Sequence, residues 1–293
     1  MPLIGALLLA VGIGFWWRSR YLRVAVKTDL RRHPVGADGV IIGAEGFVYA
    51  RPGAPAVLLL HGAGDTPHTL RYLAAALYER GFHVSAPLLP GHGRSIADFA
   101  RVRANDLIAA AVNDYCELQR AHRWLGVIGL SMGGALAVQI AAEHPELPAL
   151  GLVAPYLAMP SGIERAARLT WLWGRLVPVL RSASGLSVLD PVERERSLAY
   201  GVFTPSALRA LQVSVRRAID ALPRVVAPTL MIQSRDDNRI SVAGAERAFG
   251  LLGSREKRLQ WITGAAHVIT VDYGREIVIS SLVSWMESRA SSR

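Results

Sequence analysis

Short apolar runs and segments of helical spacing alternate along most of the chain. Continuous apolar runs are typical of strands buried on both faces, and they occur at 55–62, the start of 82–93, 124–130, 147–155, 227–234 and 257–264. Segments with helical spacing occur at 69–81, 105–122, 131–145, 241–253 and 275–289. Strands that alternate with helices predict an α/β fold, with a mostly parallel sheet and helices on both of its faces.

The alternation stops between residues 156 and 223, where we find helical patterns rich in Leu, Trp and Arg and no convincing buried strand. We therefore predict a helical cap over 156–223, inserted between two parts of one core, residues 39–155 and 224–293. A chain of 293 residues with 51% hydrophobic content can bury one large domain of this kind.

The N-terminus is apolar and uncharged from residue 2 to residue 17. As a helix this segment would be roughly 24 Å long, slightly less than the ~30 Å hydrocarbon core of a bilayer. Aromatic Trp16 and Trp17 and a basic linker, 18–38, follow the run, whereas a cleavable signal peptide has its positive charge before the run. We predict that residues 1–17 form an uncleaved membrane anchor, with the folded domain in the cytoplasm. The alternative is an apolar helix that packs on the domain or on a partner.

The formal net charge of +10 raises the question of nucleic-acid binding. Most of the cationic residues are arginines scattered along the chain, and their one dense cluster follows the apolar N-terminus, where it suits phospholipid headgroups. We therefore expect no nucleic-acid partner. The single cysteine, Cys116, excludes an internal disulfide framework and a zinc site built on cysteines.

A serine stands between two glycines at the junction of a predicted strand and a predicted helix, in Gly129-Leu130-Ser131-Met132-Gly133. Glycines on both sides permit a sharp turn with unusual backbone angles, which lifts the serine hydroxyl above the carboxyl end of the sheet. In this context Gly-x-Ser-x-Gly is a nucleophile elbow, and Ser131 is the candidate nucleophile.

A serine nucleophile requires a base and a carboxylate that orients the base, in the chain order Ser, acid, His. His267 follows the last predicted strand and is the candidate base. Two aspartates, Asp236 and Asp237, follow the strand before it. We favour Asp237 because Ile240 stands three residues after it, as is usual for the acid, and we expect Asp236 to be a solvated neighbour.

The negative charge that develops on the substrate oxygen requires backbone N–H donors. One is the N–H of Met132, directly after the candidate nucleophile. The second comes from the loop after the strand at 55–62, where Ala63 is the candidate. We expect His61 to hold the shape of this loop and to take no proton from the substrate.

Together these motifs resemble the α/β-hydrolase superfamily and, within it, the bacterial carboxylesterases and monoacylglycerol lipases. The resemblance covers roughly residues 39–289 and rests on LLLHGAGDTPHT, APLLPGHG, GLSMGG, QSRDDNRIS and GAAHVITVD. Ala266 stands where the family usually has glycine. The resemblance implies a Ser131–Asp237–His267 triad, a helical cap, and cofactor-free hydrolysis of esters with short or medium acyl chains.

The identity of the substrate is open at this stage. A small-molecule acyl ester is the expected partner, and the apolar Trp171, Leu172, Trp173 and Leu176 either line an acyl pocket or only pack the cap. The same triad would serve a thioesterase, an amidase or an acyltransferase. A non-catalytic scaffold is the alternative from another class. We expect neither a metal site nor a cofactor.

Overall fold

The computed structural model describes residue 5 and residues 11–14, 16–17, 33–175, 177–181 and 186–291. The predicted anchor at 1–17 and the first part of the basic linker fall mostly outside these residues, so the anchor stays a prediction. Within the described residues, no helix combines the length and the apolar character needed to cross a bilayer.

The strands of the described chain build one large sheet and one small hairpin-like pair. They are β1 (Phe47–Tyr49), β2 (Ala56–Leu60), β3 (His83–Ala86), β4 (Leu125–Leu130), β5 (Leu150–Val153), β6 (Leu180–Arg181), β7 (Val202–Phe203), β8 (Thr229–Ser234) and β9 (Lys257–Ile262). The large sheet has the order β1-β3-β2-β4-β5-β8-β9. Adjacent strands of this sheet run parallel, except that β1 pairs antiparallel with β3 at one edge. The predicted mostly parallel α/β sheet is confirmed.

Helices cover both faces of this sheet. They are α1 (Arg71–Glu79), α2 (Ile96–Phe99), α3 (Ala104–Ala121), α4 (Met132–Glu143), α5 (Ser161–Arg168), α6 (Thr170–Trp173), α7 (Pro191–Glu195), α8 (Pro205–Ala221), α9 (Val242–Leu251) and α10 (Arg275–Ala290). Buried side chains of α1 and α10 form a hydrophobic cluster on one face, and those of α3, α4, α8 and α9 form another on the opposite face. The double cover explains why β2 and β4 are apolar at every position and fully buried.

The segment predicted as the cap carries α5, α6, α7 and α8. Helices α5 and α6 pack on α8, and α8 itself packs against α3 and α4. Leu211 and Val215 of α8 belong to the same hydrophobic cluster as the sheet, so the last helix of the segment is part of the layer that covers the sheet. The bounds of the cap as a domain stay a prediction.

The register of the parallel strands brings their carboxyl ends to one edge. Gly129 of β4 lies opposite Leu60 of β2, and Ser234 of β8 lies opposite Ile262 of β9. The loops that follow β2, β4, β8 and β9 therefore start side by side. This edge is where ligands bind in open α/β sheets.

Candidate active site

Ser131 lies at the junction of β4 and α4. Its φ is 54° and its ψ is −115°, a left-handed backbone conformation that residues other than glycine rarely adopt. The turn is held by hydrogen bonds from the Ser131 N–H to the Val153 oxygen (3.0 Å) and from the Gly134 N–H to the Ser131 oxygen (3.0 Å). A Cβ at position 129 would overlap the Gly133 carbonyl, and a Cβ at position 133 would overlap the Leu60 carbonyl. Both glycines of the motif are therefore required by the close approach of the backbone.

The structure brings Ser131, His267 and Asp237 into one hydrogen-bonded chain. The Nε2 of His267 lies 2.8 Å from the Ser131 Oγ, and its Nδ1 lies 2.8 Å from the Asp237 Oδ2. A carboxylate only accepts hydrogen bonds, so Nδ1 carries the proton and Nε2 is free to accept one from the serine. The exposed fraction is 8% for the His267 side chain and 0% for that of Asp237.

Asp237 is fixed by donors from its own loop. Its Oδ1 accepts hydrogen bonds from the N–H groups of Arg239 (2.7 Å) and Ile240 (3.0 Å), and its Oδ2 accepts one from Gln233 Nε2 (2.6 Å). Burial acts to raise the pKa of this carboxyl, but the charge of His267 and the hydrogen bonds from His267, Arg239 and Ile240 lower the pKa below its ordinary value. Asp237 is therefore held in its ionised form.

Asp236, the alternative acid, is exposed and lies outside this chain of hydrogen bonds. Its Oδ2 accepts a hydrogen bond from the Gly264 N–H at 2.7 Å. The structure thus brings Asp237, and not Asp236, to His267.

The two candidate oxyanion donors are Met132, the next residue after Ser131, and Ala63, which lines the same cavity as Ser131. Met132 is the first residue of α4, so its N–H has no acceptor within the helix and lies at the positive end of the helix dipole. The loop after β2 approaches the serine closely: a Cβ at Gly62 would lie 3.4 Å from the Ser131 Cβ. Ala63 is the next residue of that loop and lines the same cavity as Ser131.

His61 holds the loop that carries Ala63. Its Nε2 accepts a hydrogen bond from the Leu89 N–H (3.0 Å), so its Nδ1 carries the proton and donates to the Gly62 oxygen (2.9 Å). Burial, together with the neighbouring His92, lowers the pKa of His61 to about 3. The imidazole is therefore neutral at physiological pH and ties the loop after β2 to the loop after β3.

A cavity of about 450 Å³ opens above Ser131 and His267. Most of its wall is apolar, and the apolar side chains that line it include Ile163, Val202, Phe203, Leu208, Leu211, Val268 and Val271. Charged and polar side chains form the rest of the wall, among them Asp65, His68, Thr69, Arg71, Glu193 and Arg239. A mostly apolar cavity with a few polar groups suits an amphiphilic small molecule.

The residues expected to line an acyl pocket from the sequence lie elsewhere. Trp171 and Leu172 are 73% and 60% exposed, and the Trp173 Nε1 donates to the Ala166 oxygen at 2.8 Å. None of these three is among the described residues that line the cavity. The reason is that α6 is a single turn lying on the outside of α8, which leaves most of its apolar surface uncovered. Leu176 lies outside the described residues.

Asp65 is a buried carboxyl in the wall of the cavity, which sequence analysis did not single out. The Thr66 N–H donates to its Oδ1 at 2.8 Å. Burial raises the pKa of Asp65 to about 6, although hydrogen bonds and the nearby His267 and Arg71 oppose the shift. Its position in the loop after β2, at the carboxyl edge of the sheet, was the signal available in the sequence.

The raised pKa of Asp65 predicts a pH-dependent effect of Asp65→Asn on stability. The folded protein holds the Asp65 proton up to about pH 6, whereas an ordinary carboxyl loses it near 3.8. Ionisation of Asp65 therefore destabilises the fold progressively as the pH rises through this window. We expect Asp65→Asn to raise the free energy of unfolding by about 3 kcal/mol at pH 8, because the pKa shift of Asp65 from 3.8 to about 6 is multiplied by about 1.4 kcal/mol for each pKa unit. The gain should disappear near pH 4. Urea unfolding at both pH values measures it, and an equal gain at both would contradict the prediction.

Tyr156 and Arg239 also line the cavity, and they lie in the loops that follow β5 and β8. Tyr156, three residues beyond Val153 at the end of β5, has its ring centroid 6.2 Å from that of His267. The Arg239 Nε donates to the Ser187 Oγ at 3.0 Å. Their place in the loops after β5 and β8 was the signal available in the sequence.

Sequence comparison finds a family and full-length relatives. The family described as "Serine aminopeptidase, S33" matches residues 52–273. A thermostable monoacylglycerol lipase of Bacillus sp. (strain H-257) is 31% identical over 251 residues, which are 86% of this chain and 97% of that protein. A carboxylesterase of Bacillus subtilis (strain 168) is 25% identical over 237 residues, 80% of this chain and 93% of that protein.

Solved structures share the fold. A structure from work on LipS and LipT, two metagenome-derived lipolytic enzymes, is 30% identical with a TM-score of 0.78, and the match covers 85% of this chain and 99% of that one. The monoacylglycerol lipase of Paleococcus ferrophilus is 24% identical with a TM-score of 0.71, covering 84% and 99% of the two chains.

Proposed function

The chain belongs to the serine aminopeptidase S33 family of α/β-hydrolases, and we propose that Ser131 is the nucleophile with which it hydrolyses carboxylic esters. The predicted membership of the α/β-hydrolases and the predicted ester chemistry are both confirmed by the family and the relatives. The observation that carries the assignment of Ser131 is the unbroken hydrogen-bonded chain from Asp237 through His267 to Ser131 at the cavity.

Acylation follows from this geometry. The Ser131 Oγ attacks the ester carbonyl carbon while His267 Nε2, 2.8 Å away, takes the hydroxyl proton. Asp237 stabilises the imidazolium that forms. The carbonyl oxygen becomes an oxyanion, to which the N–H groups of Met132 and Ala63 donate. When the tetrahedral intermediate collapses, His267 gives its proton to the leaving alcohol.

Deacylation uses the same groups in the reverse sense. A water molecule gives a proton to His267 Nε2 and attacks the acyl-enzyme carbonyl, and the second tetrahedral intermediate then releases the carboxylic acid as Ser131 regains its proton. Because both halves pass through an oxyanion at the same place, the two backbone donors act twice in each turnover.

The cavity favours an ester whose acyl part is apolar and whose alcohol part is polar. Its wall combines apolar side chains such as Leu208 and Leu211 with the polar groups of Asp65, Thr69 and Arg71. A monoacylglycerol has this division, and the Bacillus relative named above is a monoacylglycerol lipase. We therefore propose monoacylglycerols and esters of short to medium acyl chains as the substrate class.

The acyl-chain preference tests this substrate class. We expect kcat/KM for p-nitrophenyl esters to rise about fourfold with each added methylene until the cavity is full, because each buried methylene contributes about 0.8 kcal/mol. Leu211→Trp should shift the optimum to shorter chains, since Leu211 lines the cavity. Leu172→Trp, on the exposed surface of α6, is the matched control and should leave the optimum where it is.

The same assay separates the competing functions. Equal rates on p-nitrophenyl esters and on p-nitroanilides of the same acids would favour an amidase, and faster turnover of thioesters would favour a thioesterase. Transfer of the acyl group to an added alcohol in place of water would favour an acyltransferase. Absence of fluorophosphonate labelling at Ser131 would favour a non-catalytic scaffold.

A membrane location through residues 2–17 is a separate proposal that does not depend on the chemistry. It rests on the uncharged apolar sequence and on the basic residues that follow it. We expect the full chain to stay with membranes through washes with high salt and with carbonate. Release into the wash would contradict an anchor, and a variant that lacks residues 1–17 is the control.

A further inference from the structure

One segment between β6 and α7 is hydrogen-bonded to the loops of both His267 and Asp237. We call residues 186–190 the cap strap. On the side of the acid, Asn238 Nδ2 donates to the Leu186 oxygen (3.1 Å) and Arg239 Nε donates to the Ser187 Oγ (3.0 Å). On the side of the base, the Val268 N–H donates to the Ser187 oxygen (2.9 Å). The strap thus spans the two loops that must keep the acid and the base together.

The carboxylate of Asp272 holds the other end of the cap strap. Asp272 is 0% exposed. Its oxygens accept hydrogen bonds from the N–H groups of Leu189 (2.9 Å to each oxygen) and Asp190 (2.9 Å) in the strap. They also accept from the N–H groups of Ala266 (2.8 Å) and Tyr273 (2.9 Å). A single buried carboxylate therefore joins the strap to the residue directly before His267.

We infer that Asp272 is a positioning residue, which fixes the loop of His267 against the cap strap by accepting from backbone N–H groups on both. The inference rests on the proposed function, because it concerns the geometry of the same His267. Asp272 does not touch Ser131, Asp237 or the cavity among its recorded contacts within the described chain. Its effect on the reaction must therefore pass through the backbone that it holds, either directly at Ala266 or through the cap strap.

An ionised carboxylate suits this task because it only accepts hydrogen bonds and has room for four of them. An asparagine of the same shape has one accepting oxygen, and its NH₂ group would face the N–H of Ala266 or the N–H groups of the strap. Two donors that face each other in a buried site repel, and the loop must move to separate them. A displacement of His267 by about 1 Å can lower kcat by about 10²-fold while substrate binding persists.

The test measures kcat and KM of Asp272→Asn with p-nitrophenyl butyrate on protein shown to be folded by circular dichroism. We expect kcat to fall about 10²-fold with KM near that of the parent protein. A general loss of packing would lower the folded fraction and the apparent enzyme concentration, which circular dichroism and thermal unfolding would reveal. The matched control is Asp236→Asn. Asp236 is exposed and accepts a hydrogen bond from the Gly264 N–H, at the start of the loop that carries His267.

Should Asp272→Asn fail to fold, Asp272→Ser is the second variant, because its small side chain leaves room for water and its hydroxyl can rotate so that the oxygen faces the N–H groups. The same loss of kcat is expected. A kcat within about twofold of the parent in either folded variant, or an equal loss in Asp236→Asn, overturns the role of Asp272. Ser131→Ala is assayed alongside. Full activity of Ser131→Ala would remove the proposed nucleophile, whereas an inactive Ser131→Ala beside a fully active Asp272→Asn would remove only this inference.

Discussion

Ser131→Ala is expected to lower kcat by about 10⁴-fold or more while the fold stays intact. The substitution removes the atom that lies 2.8 Å from His267 Nε2, and no other hydroxyl takes part in the recorded hydrogen bonds of that nitrogen in the described chain. Alanine tolerates the backbone at this position about as well as serine does, and it adds no atoms that could clash. The reaction would then depend on the oxyanion donors and on substrate binding alone.

Steady-state kinetics with p-nitrophenyl esters measures this loss, and circular dichroism checks the fold. Fluorophosphonate labelling supplies an independent readout, since the probe attaches covalently to an activated serine hydroxyl. The parent protein should be labelled and the Ser131→Ala variant should not. Labelling that persists in the variant would show that another residue is the nucleophile.

Asp237→Asn should lower kcat by about 10⁴-fold, whereas Asp236→Asn should stay within about twofold of the parent protein. An asparagine at 237 would place its NH₂ group or a neutral oxygen against His267 Nδ1, which favours the wrong tautomer and leaves the imidazolium without a counter-charge. At 236 the exposed side chain accepts only from Gly264 in the recorded contacts, and an amide oxygen can do the same.

The pair of variants is a sharp comparison because the two residues are adjacent and chemically identical. Both substitutions remove one negative charge from the same loop, so a general electrostatic effect would lower the kcat of both variants to a similar extent. Similar losses in the two variants would contradict the assignment of Asp237. Circular dichroism on both excludes unfolding as the cause of a loss.

The sequence predicts the elements that hold Ser131, Asp237 and His267 because each rests on a local pattern. The buried strands are continuous apolar runs, and Gly129 and Gly133 mark a turn that only glycine permits. The parallel sheet then brings the loops after its strands to one edge. No longer-range information is needed to place these three side chains near one another.

The sequence is less informative where packing between distant segments decides the outcome. Trp171 and Leu172 have the composition expected of a pocket wall, but α6 is too short and too peripheral to bury them. Leu208 and Leu211 line the cavity because α8 packs against α4, a contact between segments far apart in the chain. Apolar residue type alone does not distinguish these two situations.

Buried carboxylates show the same limit. Asp65 and Asp272 are unremarkable in the sequence, since aspartate is common in loops. The role of Asp272 depends on hydrogen bonds from backbone N–H groups of the cap strap, more than 80 residues earlier in the chain. The raised pKa of Asp65 depends on its burial in the folded protein, which its place in the sequence does not reveal.

The left-handed backbone of Ser131 opposes stability to activity in directed evolution. A residue with a side chain is strained there by about 1 kcal/mol or more, and glycine at position 131 would relieve that strain. A directed-evolution experiment that selects variants only for survival of heating would therefore enrich Ser131→Gly, which is thermally more stable and catalytically inactive. Every round of such a selection must also score turnover.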